Sequence, residues 1–250
     1  MNQIAPWWCW KRAFYTSGVL LSLTVFSLVG IGQSSNPGTD RYDGKHFLIE
    51  GTEDWDKDGR TGDAENGDGD DVFADLAFAF PPNIYFGPRV VTIMTDGVYR
   101  VGYSMVTGDT TVQAGQGVNA VLDGRDDEGT LGAPFLITGK LTLRNLTIQR
   151  YSTGALVQDG GNLIAENCVF SSNRLNGAQI ENGGNAVFRN CSIVRNGLHD
   201  THGEGAIPGG LVFGIDATGL VSRSLVAGNA GTPIVRNPKK VLLKEVDVAR

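Results

Sequence analysis

Apolar and polar residues alternate along the C-terminal part of the chain, and the alternation recurs in successive copies. Each copy contains a short alternating run, a polar residue, and a second alternating run shifted in phase by one residue. Leu141 and Leu143 belong to one apolar set, whereas the set that follows Asn145 is Leu146 and Ile148. Alternation with a period of two predicts β-strands, and the shift of phase predicts a corner between two strands.

Five copies of this pattern align along the chain. They cover residues 140–148, 162–170, 185–193, 218–226 and 240–248. Corresponding residues are 22, 23, 33 and 22 positions apart. A period of about 22 residues with short strands and no helical pattern predicts a parallel β-helix, in which each coil stacks about 4.8 Å from the last.

Asparagine recurs at two of the predicted corners. The first row is Asn145, Asn167 and Asn190, and the second row is Asn173, Asn196 and Asn229. Asparagine tolerates the left-handed backbone region that a corner requires, and its amide can bond to the equivalent amide one coil away. The alternative is that these residues lie in ordinary surface turns. We predict two asparagine ladders, because both rows keep one register.

The repeat resembles the pectin-lyase-like superfamily of right-handed parallel β-helix proteins. Three segments are similar to the way many such proteins begin: 95–100, 108–113 and 120–124. Phe170 and Asn173 match the FxxN element of chlamydial polymorphic outer-membrane repeats. The resemblance implies an all-β fold, a right-handed parallel β-helix of about seven coils. It leaves the chemistry open, because fold alone does not specify function.

The first 33 residues predict an export signal. Lys11 and Arg12 precede an uncharged apolar stretch over 13–32, and residues 30–32 offer a small-x-small cleavage site. The stretch is also long enough for an uncleaved membrane anchor. We favour cleavage and predict an extracellular, cell-surface, periplasmic or outer-membrane location. The predicted domains are therefore 1–33 (signal or anchor), 34–89 (an acidic segment leading into the helix) and 90–250 (the β-helix).

The acidic segment contains the calcium-loop pattern D-x-D-x-D-G-x5-E. Its ligand positions are Asp54, Asp56, Asp58, Arg60, Gly62 and Glu65. Alternating carboxylates at this spacing converge on one cation, Gly59 permits the sharp turn, and Glu65 can supply two oxygens. We predict a structural calcium ion here. The alternative is a solvated acidic loop without a tight site.

Net charge bears on whether the protein binds nucleic acid, and the cysteine positions bear on whether a disulfide forms. The formal net charge of -6 and the pI near 5.1 give no support for nucleic-acid binding, which needs a basic surface. Cys168 and Cys191 occupy the same position in successive copies and should be stacked neighbours facing the core. A disulfide is conceivable in an exported protein, but in-register parallel side chains rarely reach its torsion. We therefore favour two buried thiols.

The resemblance implies where a functional site would lie, because active sites of the superfamily occupy the outward face of each coil's first strand and the adjoining loops. Alignment of these strands predicts outward positions for Leu156, Gln158, Gln179, Glu181, Val212 and Gly214. Glu181 is the one carboxylate among them. The long 33-residue step places His199, His202 and Glu204 in an insertion beside this face. Imidazoles titrate near neutrality and bind metals, so these four residues are the catalytic candidates.

Two functions are compatible with this pattern. In the first, a secreted or cell-surface β-helix binds a polysaccharide or another surface component without catalysis. In the second, the protein is a polysaccharide lyase or glycoside hydrolase. Glycoside hydrolysis uses two carboxylates about 5 to 9.5 Å apart, and a pectate lyase-like site uses an acidic calcium cluster with a basic proton acceptor. Neither set is visible on the predicted face, so we favour the non-catalytic interpretation.

Overall fold

The computed structural model describes residues 46–49, 72–73, 89–126, 129–130, 132–197, 209–237 and 239–249. Within these ranges the regular structure consists of β-strands, and all the coils belong to the unit that spans residues 41–250. None of the described residues forms a helix with the length and hydropathy needed to cross a membrane.

The strands are short, as the alternating runs predict. In chain order they are β1 (His46–Ile49), β2 (Val72–Phe73), β3 (Arg89–Ile93), β4 (Gly97–Arg100), β5 (Ser104–Val106), β6 (Asp109–Ala114), β7 (Ala120–Asp123), β8 (Arg125–Asp126), β9 (Gly129–Thr130), β10 (Phe135–Ile137), β11 (Lys140–Arg144), β12 (Leu146–Gln149), β13 (Leu156–Val157), β14 (Asn162–Glu166), β15 (Val169–Ser171), β16 (Asn176–Ile180), β17 (Asn185–Arg189), β18 (Ser192–Val194), β19 (Gly209–Phe213), β20 (Thr218–Ala227), β21 (Thr232–Val235) and β22 (Val241–Ala249).

Parallel pairing between coils organises the strands into two large sheets. A fourteen-stranded sheet runs β2-β1-β3-β6-β11-β14-β17-β20-β18-β15-β12-β7-β4, with β22 paired to β20. It provides two faces of the coil, because β20 continues through the corner that separates β17 from β18. The third face is a six-stranded sheet, in the order β21-β19-β16-β13-β10-β5. An antiparallel pair, β8 and β9, lies outside both sheets.

The register of the large sheet matches the steps predicted from sequence. Leu141 pairs with Leu163, Leu163 with Ala186, Ala186 with Gly219, and Gly219 with Val241. Most of these side chains point into one continuous apolar core inside the coils. The prediction of an all-β parallel coil is confirmed for the described residues.

Cys168 and Cys191 are both buried and are free thiols, as predicted. Burial raises the pKa of Cys168 to about 12 and that of Cys191 to about 11. Both groups are therefore neutral near pH 7 and act as small core side chains. The nearby rings of Phe170 and Phe188 meet edge to face, with centroids 5.7 Å apart.

The first asparagine ladder lies at the corner between the two faces of the large sheet. Asn145, Asn167 and Asn190 have φ values of 57°, 55° and 52°, in the left-handed region. The amide of Asn167 donates to the side-chain oxygen of Asn145 at 3.2 Å, and that of Asn190 donates to Asn167 at 3.1 Å. All three side chains are exposed. The predicted ladder is present, on the surface of the protein.

The second ladder is buried. Asn173 and Asn196 are fully inaccessible and Asn229 is 7% exposed. The amide of Asn173 donates to Asn196 at 2.9 Å, and the amide of Asn196 donates to Asn229 at 3.0 Å. In the coil before, Tyr151 takes the equivalent place: its backbone N–H donates to Asn173, and its hydroxyl donates to the carbonyl of Val101. This ladder closes the corner that leads into the six-stranded sheet.

Candidate functional site

The outward side of the six-stranded sheet, called the outer face below, carries a row of side chains one strand apart. Pairing places Met105, Leu136, Leu156, Gln179, Val212 and Val235 in this row. The row is apolar except for the one amide. Met105 and Val235 at its ends are 57% and 37% exposed, whereas Leu136 is buried. Apart from the buried Leu136 and the amide of Gln179, the row therefore offers apolar side chains along the helix axis.

Residues inward of this row are buried, as alternation requires. Val157, Ile180 and Phe213 are at most 3% exposed, while their outward neighbours Leu156 and Val212 are half-buried. The predicted outward positions of Leu156 and Val212 are therefore confirmed. The local sequence alone predicts which side chains point inward and which point outward, because successive residues of a strand point to opposite sides.

A second, polar row follows the ends of the strands. It holds Thr138, Gln158, Glu181 and Gly214, which continue the register of the sheet. Backbone N–H groups of Gln158 and Glu181 donate to the preceding coil at 2.9 and 2.8 Å. Both side chains are half-buried. Among the described residues, Glu181 is the one carboxylate in the two rows, and Gln158 lies beside it.

The amide in the apolar row is held in place by a neighbour. The amide nitrogen of Asn176 donates to Oε1 of Gln179 at 3.3 Å, and the side-chain oxygen of Asn176 accepts from the backbone N–H of Gly209 at 3.2 Å. Asn176 itself is buried. Because Oε1 of Gln179 accepts the hydrogen bond from Asn176, Gln179 can present its NH₂ group to a ligand.

The other predicted site residues lie outside the described residues. These are the calcium-loop positions from Asp54 to Glu65, and the insertion residues His199, His202 and Glu204. In the part of the chain that is described, no three His, Cys, Asp or Glu side chains form a group that could hold a metal ion. Glu181 is therefore the one catalytic candidate whose surroundings the structure shows.

A buried carboxylate lies at the corner before the six-stranded sheet, outside the predicted catalytic and metal-binding positions. Asp123, the last residue of β7, is 2% exposed. Its oxygens accept from Nε of Arg150 at 2.7 and 2.9 Å, from the same guanidinium through Nη2, from Gln149 at 2.9 Å and from the backbone N–H of Arg125 at 3.0 Å. The sequence feature that could have identified Asp123 is its position in the repeat, which is the same as that of Gln149 in the next coil.

These contacts decide the charge of the Asp123 carboxylate. Burial would raise its pKa, but the hydrogen bonds from Arg150, Gln149 and the backbone of Arg125 together hold the pKa below its ordinary value. The acceptor oxygens are fully engaged, so the group has no capacity left to bind a substrate proton. Asp123 therefore positions the guanidinium of Arg150 at this corner.

A match to a known protein family supports the architecture. Residues 136–242 match the family described as right handed beta helix region. No curated protein sequence gave a match. Similar solved structures include pectate lyase Pel9A, with a TM-score of 0.43 and 13% identity over 74% of this chain, and pectin methylesterase in complex with hexasaccharide VII, with a TM-score of 0.40 and 13% identity over 81% of this chain.

The alignments cover 64% of the pectate lyase chain and 70% of the pectin methylesterase chain. This chain thus spans less than two thirds of the length of the pectate lyase. The family match spans the strands from β11 to β21, and every strand pair in the two large sheets is parallel. The described residues of the two large sheets form a parallel β-helix, of which residues 136–242 match the right handed beta helix region family.

Proposed function

We propose that this protein is exported and binds a glycan along the outer face, without cleaving it. Strands of the sheet are about 4.8 Å apart, which is close to the length of one sugar ring in an extended polysaccharide. Apolar side chains can pack against the faces of sugar rings, while a few fixed polar groups bind the hydroxyls and set the orientation. The outer face provides both apolar and polar side chains, and neighbouring ones are separated by the distance between adjacent strands.

The observation that carries this proposal is the mixed row Leu156, Gln179 and Val212, with Gln158 and Glu181 beside it. Binding is favoured over hydrolysis because Glu181 is the one carboxylate in the described rows, whereas most glycosidases use a pair about 5 to 9.5 Å apart. The enzymatic alternative therefore needs groups that these rows do not provide.

Val212→Glu tests the outer face. We expect at least about a tenfold loss of affinity for the bound glycan, because the change places a charge among the apolar side chains of the outer face. Val187→Glu is the matched control, since Val187 is also half-buried and outward in mid-strand, but on the fourteen-stranded sheet. Affinity electrophoresis against a polysaccharide panel measures both variants.

Three results would contradict the proposal. The first is that no polysaccharide binds, and the second is that both variants bind as the unaltered protein does. The third is release of reducing sugars or unsaturated products that Glu181→Gln abolishes, which would establish the enzymatic alternative. Circular dichroism of each variant checks that the β-helix is retained.

We also infer from the sequence that the loop from Asp54 to Glu65 binds a structural calcium ion. Isothermal titration of the mature protein should show heat with calcium, and Asp58→Asn combined with Glu65→Gln should remove it, because carboxylate oxygens dominate such sites. Asp96→Asn, an exposed carboxylate of the coils, is the control. Absence of heat, together with one protease pattern with and without chelator, would overturn the inference.

A further inference from the structure

Exposed large apolar side chains lie near the two ends of the described coils. Among the described residues they are Met94, Val98, Tyr103, Met105, Ile215, Leu225, Val235, Leu242 and Val248. None of them falls between residues 106 and 214, where each coil has a neighbour on both sides. Grouped exposed apolar side chains mark sites of protein–protein contact. The ends of the stack are therefore the places to look for a partner.

The strand β22 presents an open edge at one of these ends. It pairs with β20 on one side, and no described strand pairs with its other side. The backbone N–H and C=O groups of that side can accept a further strand. The core is also incompletely covered here, because Val248 is 51% exposed whereas Val226, its partner in the preceding coil, is fully buried.

Side chains of β22 alternate between the core and the outside, and the alternation shifts at Glu245. The register with β20 places four residues on the core side, namely Val241, Leu243, Val246 and Val248. Glu245 has a φ of 53° and forms the corner. Core-side residues therefore have odd numbers before the corner and even numbers after it. When two copies of β22 pair antiparallel, core side meets core side if opposite residue numbers add to an odd value.

One such register also matches the charges. In it, Lys244 of one copy lies opposite Asp247 of the second copy, and a two-fold axis repeats this pair. Leu243 then lies opposite Val248. A shift by two residues in one direction places Asp247 opposite the apolar Leu242. The same shift in the other direction leaves Lys244 and Asp247 without charged partners, so charge selects the first register.

Charged residues on an edge strand ordinarily discourage pairing with another chain. Lys244 and Asp247 are both exposed, and neither makes an ion pair within the described part of the chain. Antiparallel pairing of β22 with itself gives each of them an opposite charge. A second copy of the chain is therefore a partner of matching charge and matching apolar pattern at this edge.

We propose that two copies of the protein form a dimer in which their β22 strands pair antiparallel about a two-fold axis. The inference goes beyond the proposed glycan binding and does not depend on it. Hydrogen bonds between the two edges continue the large sheet from one copy into the other, as in strand addition to an exposed edge. The exposed Val248 and the half-buried Leu243 become covered. A two-fold interface closes on itself, so association stops at the dimer.

Exchange of charges across the interface tests the dimer. Lys244→Asp should weaken dimerisation at least about tenfold, because it sets aspartate opposite aspartate at two places. Asp247→Lys should have the same effect, because it sets lysine opposite lysine. A mixture of the two variants should form a mixed dimer as the unaltered protein forms its own, since both pairs again join opposite charges. Sedimentation equilibrium over a range of concentrations measures each case.

Arg195→Asp is the matched control for the change of charge. Arg195 is exposed, carries the same charge as Lys244 and lies two coils from β22. Its backbone has a φ of 56°, which aspartate tolerates. We expect this variant to dimerise as the unaltered protein does.

Val248→Glu tests the apolar part of the interface. We expect at least about a tenfold weaker dimer, because the carboxylate would be buried opposite Leu243 without a partner. Val98→Glu is the control: Val98 is 64% exposed and lies on β4, at the other end of the stack. It should leave the dimer unchanged. Circular dichroism checks that each variant keeps the β-helix.

Several results would overturn the proposal. A monomer at every concentration is the simplest of them. Equal weakening by Lys244→Asp and Arg195→Asp would show a general effect of charge, and a mixture that associates no more tightly than either variant alone would exclude the proposed register. Loss of the dimer in Val98→Glu but not in Val248→Glu would place the interface at the other end. Growth beyond the dimer would indicate head-to-tail contact between unlike ends.

Discussion

Asn196→Ala is expected to lower the free energy of unfolding by about 3 to 5 kcal/mol, because one buried side chain satisfies several buried groups. The Asn196 oxygen accepts from the backbone N–H of Asn173 at 3.1 Å and from its amide at 2.9 Å. The Asn196 amide donates to the carbonyl of Phe170 at 3.0 Å and to Asn229 at 3.0 Å. Alanine would leave these partners buried in the corner without a hydrogen bond.

Urea unfolding at constant m-value measures this change. Asn190→Gly is the control from the exposed ladder: glycine keeps the left-handed backbone, and water can replace the lost amide bond. Its expected cost is about 1 kcal/mol or less. Equal losses of unfolding free energy in the two variants would contradict the prediction, because the buried ladder would then stabilise the protein no more than the exposed one.

Gly177→Ala should destabilise the protein by about 3 kcal/mol or more, because the coils approach too closely there for a methyl group. A Cβ on Gly177 would lie 2.6 Å from the carbonyl oxygen of Gly210 in the next coil and 2.7 Å from a methyl carbon of Ile193. These close contacts could be relieved only by separating coils that are hydrogen-bonded to each other. Since each coil contacts only its neighbours, such a defect weakens the stack on both sides.

Gly102→Ala is the matched control for this substitution. An added Cβ there meets nothing within 4 Å, so its expected effect is within about 0.5 kcal/mol of zero. Thermal unfolding followed by circular dichroism compares the two variants. Equal melting temperatures would show that the coils can separate locally at Gly177 without a measurable cost.

The coil can be predicted from the amino-acid sequence, because it follows from local rules. Alternation at period two assigns each residue to the inside or the outside, and a polar residue in the left-handed region marks each corner. Arg223 and Glu245 take the corner of the first ladder with φ of 48° and 53°, although neither is an asparagine. The shift of phase in the apolar alternation therefore predicts these corners even where the corner residue is not an asparagine.

The exposure of each polar group depends on how the coils pack in three dimensions. Asn173 and Asn196 follow Asn167 and Asn190 by the same six residues, yet only the row containing Asn196 is enclosed by the core. Asp123 follows an ordinary alternating run, and its burial depends on Arg150 and Gln149 of the next coil. Such burial results from packing between coils, which residue type and local periodicity do not report.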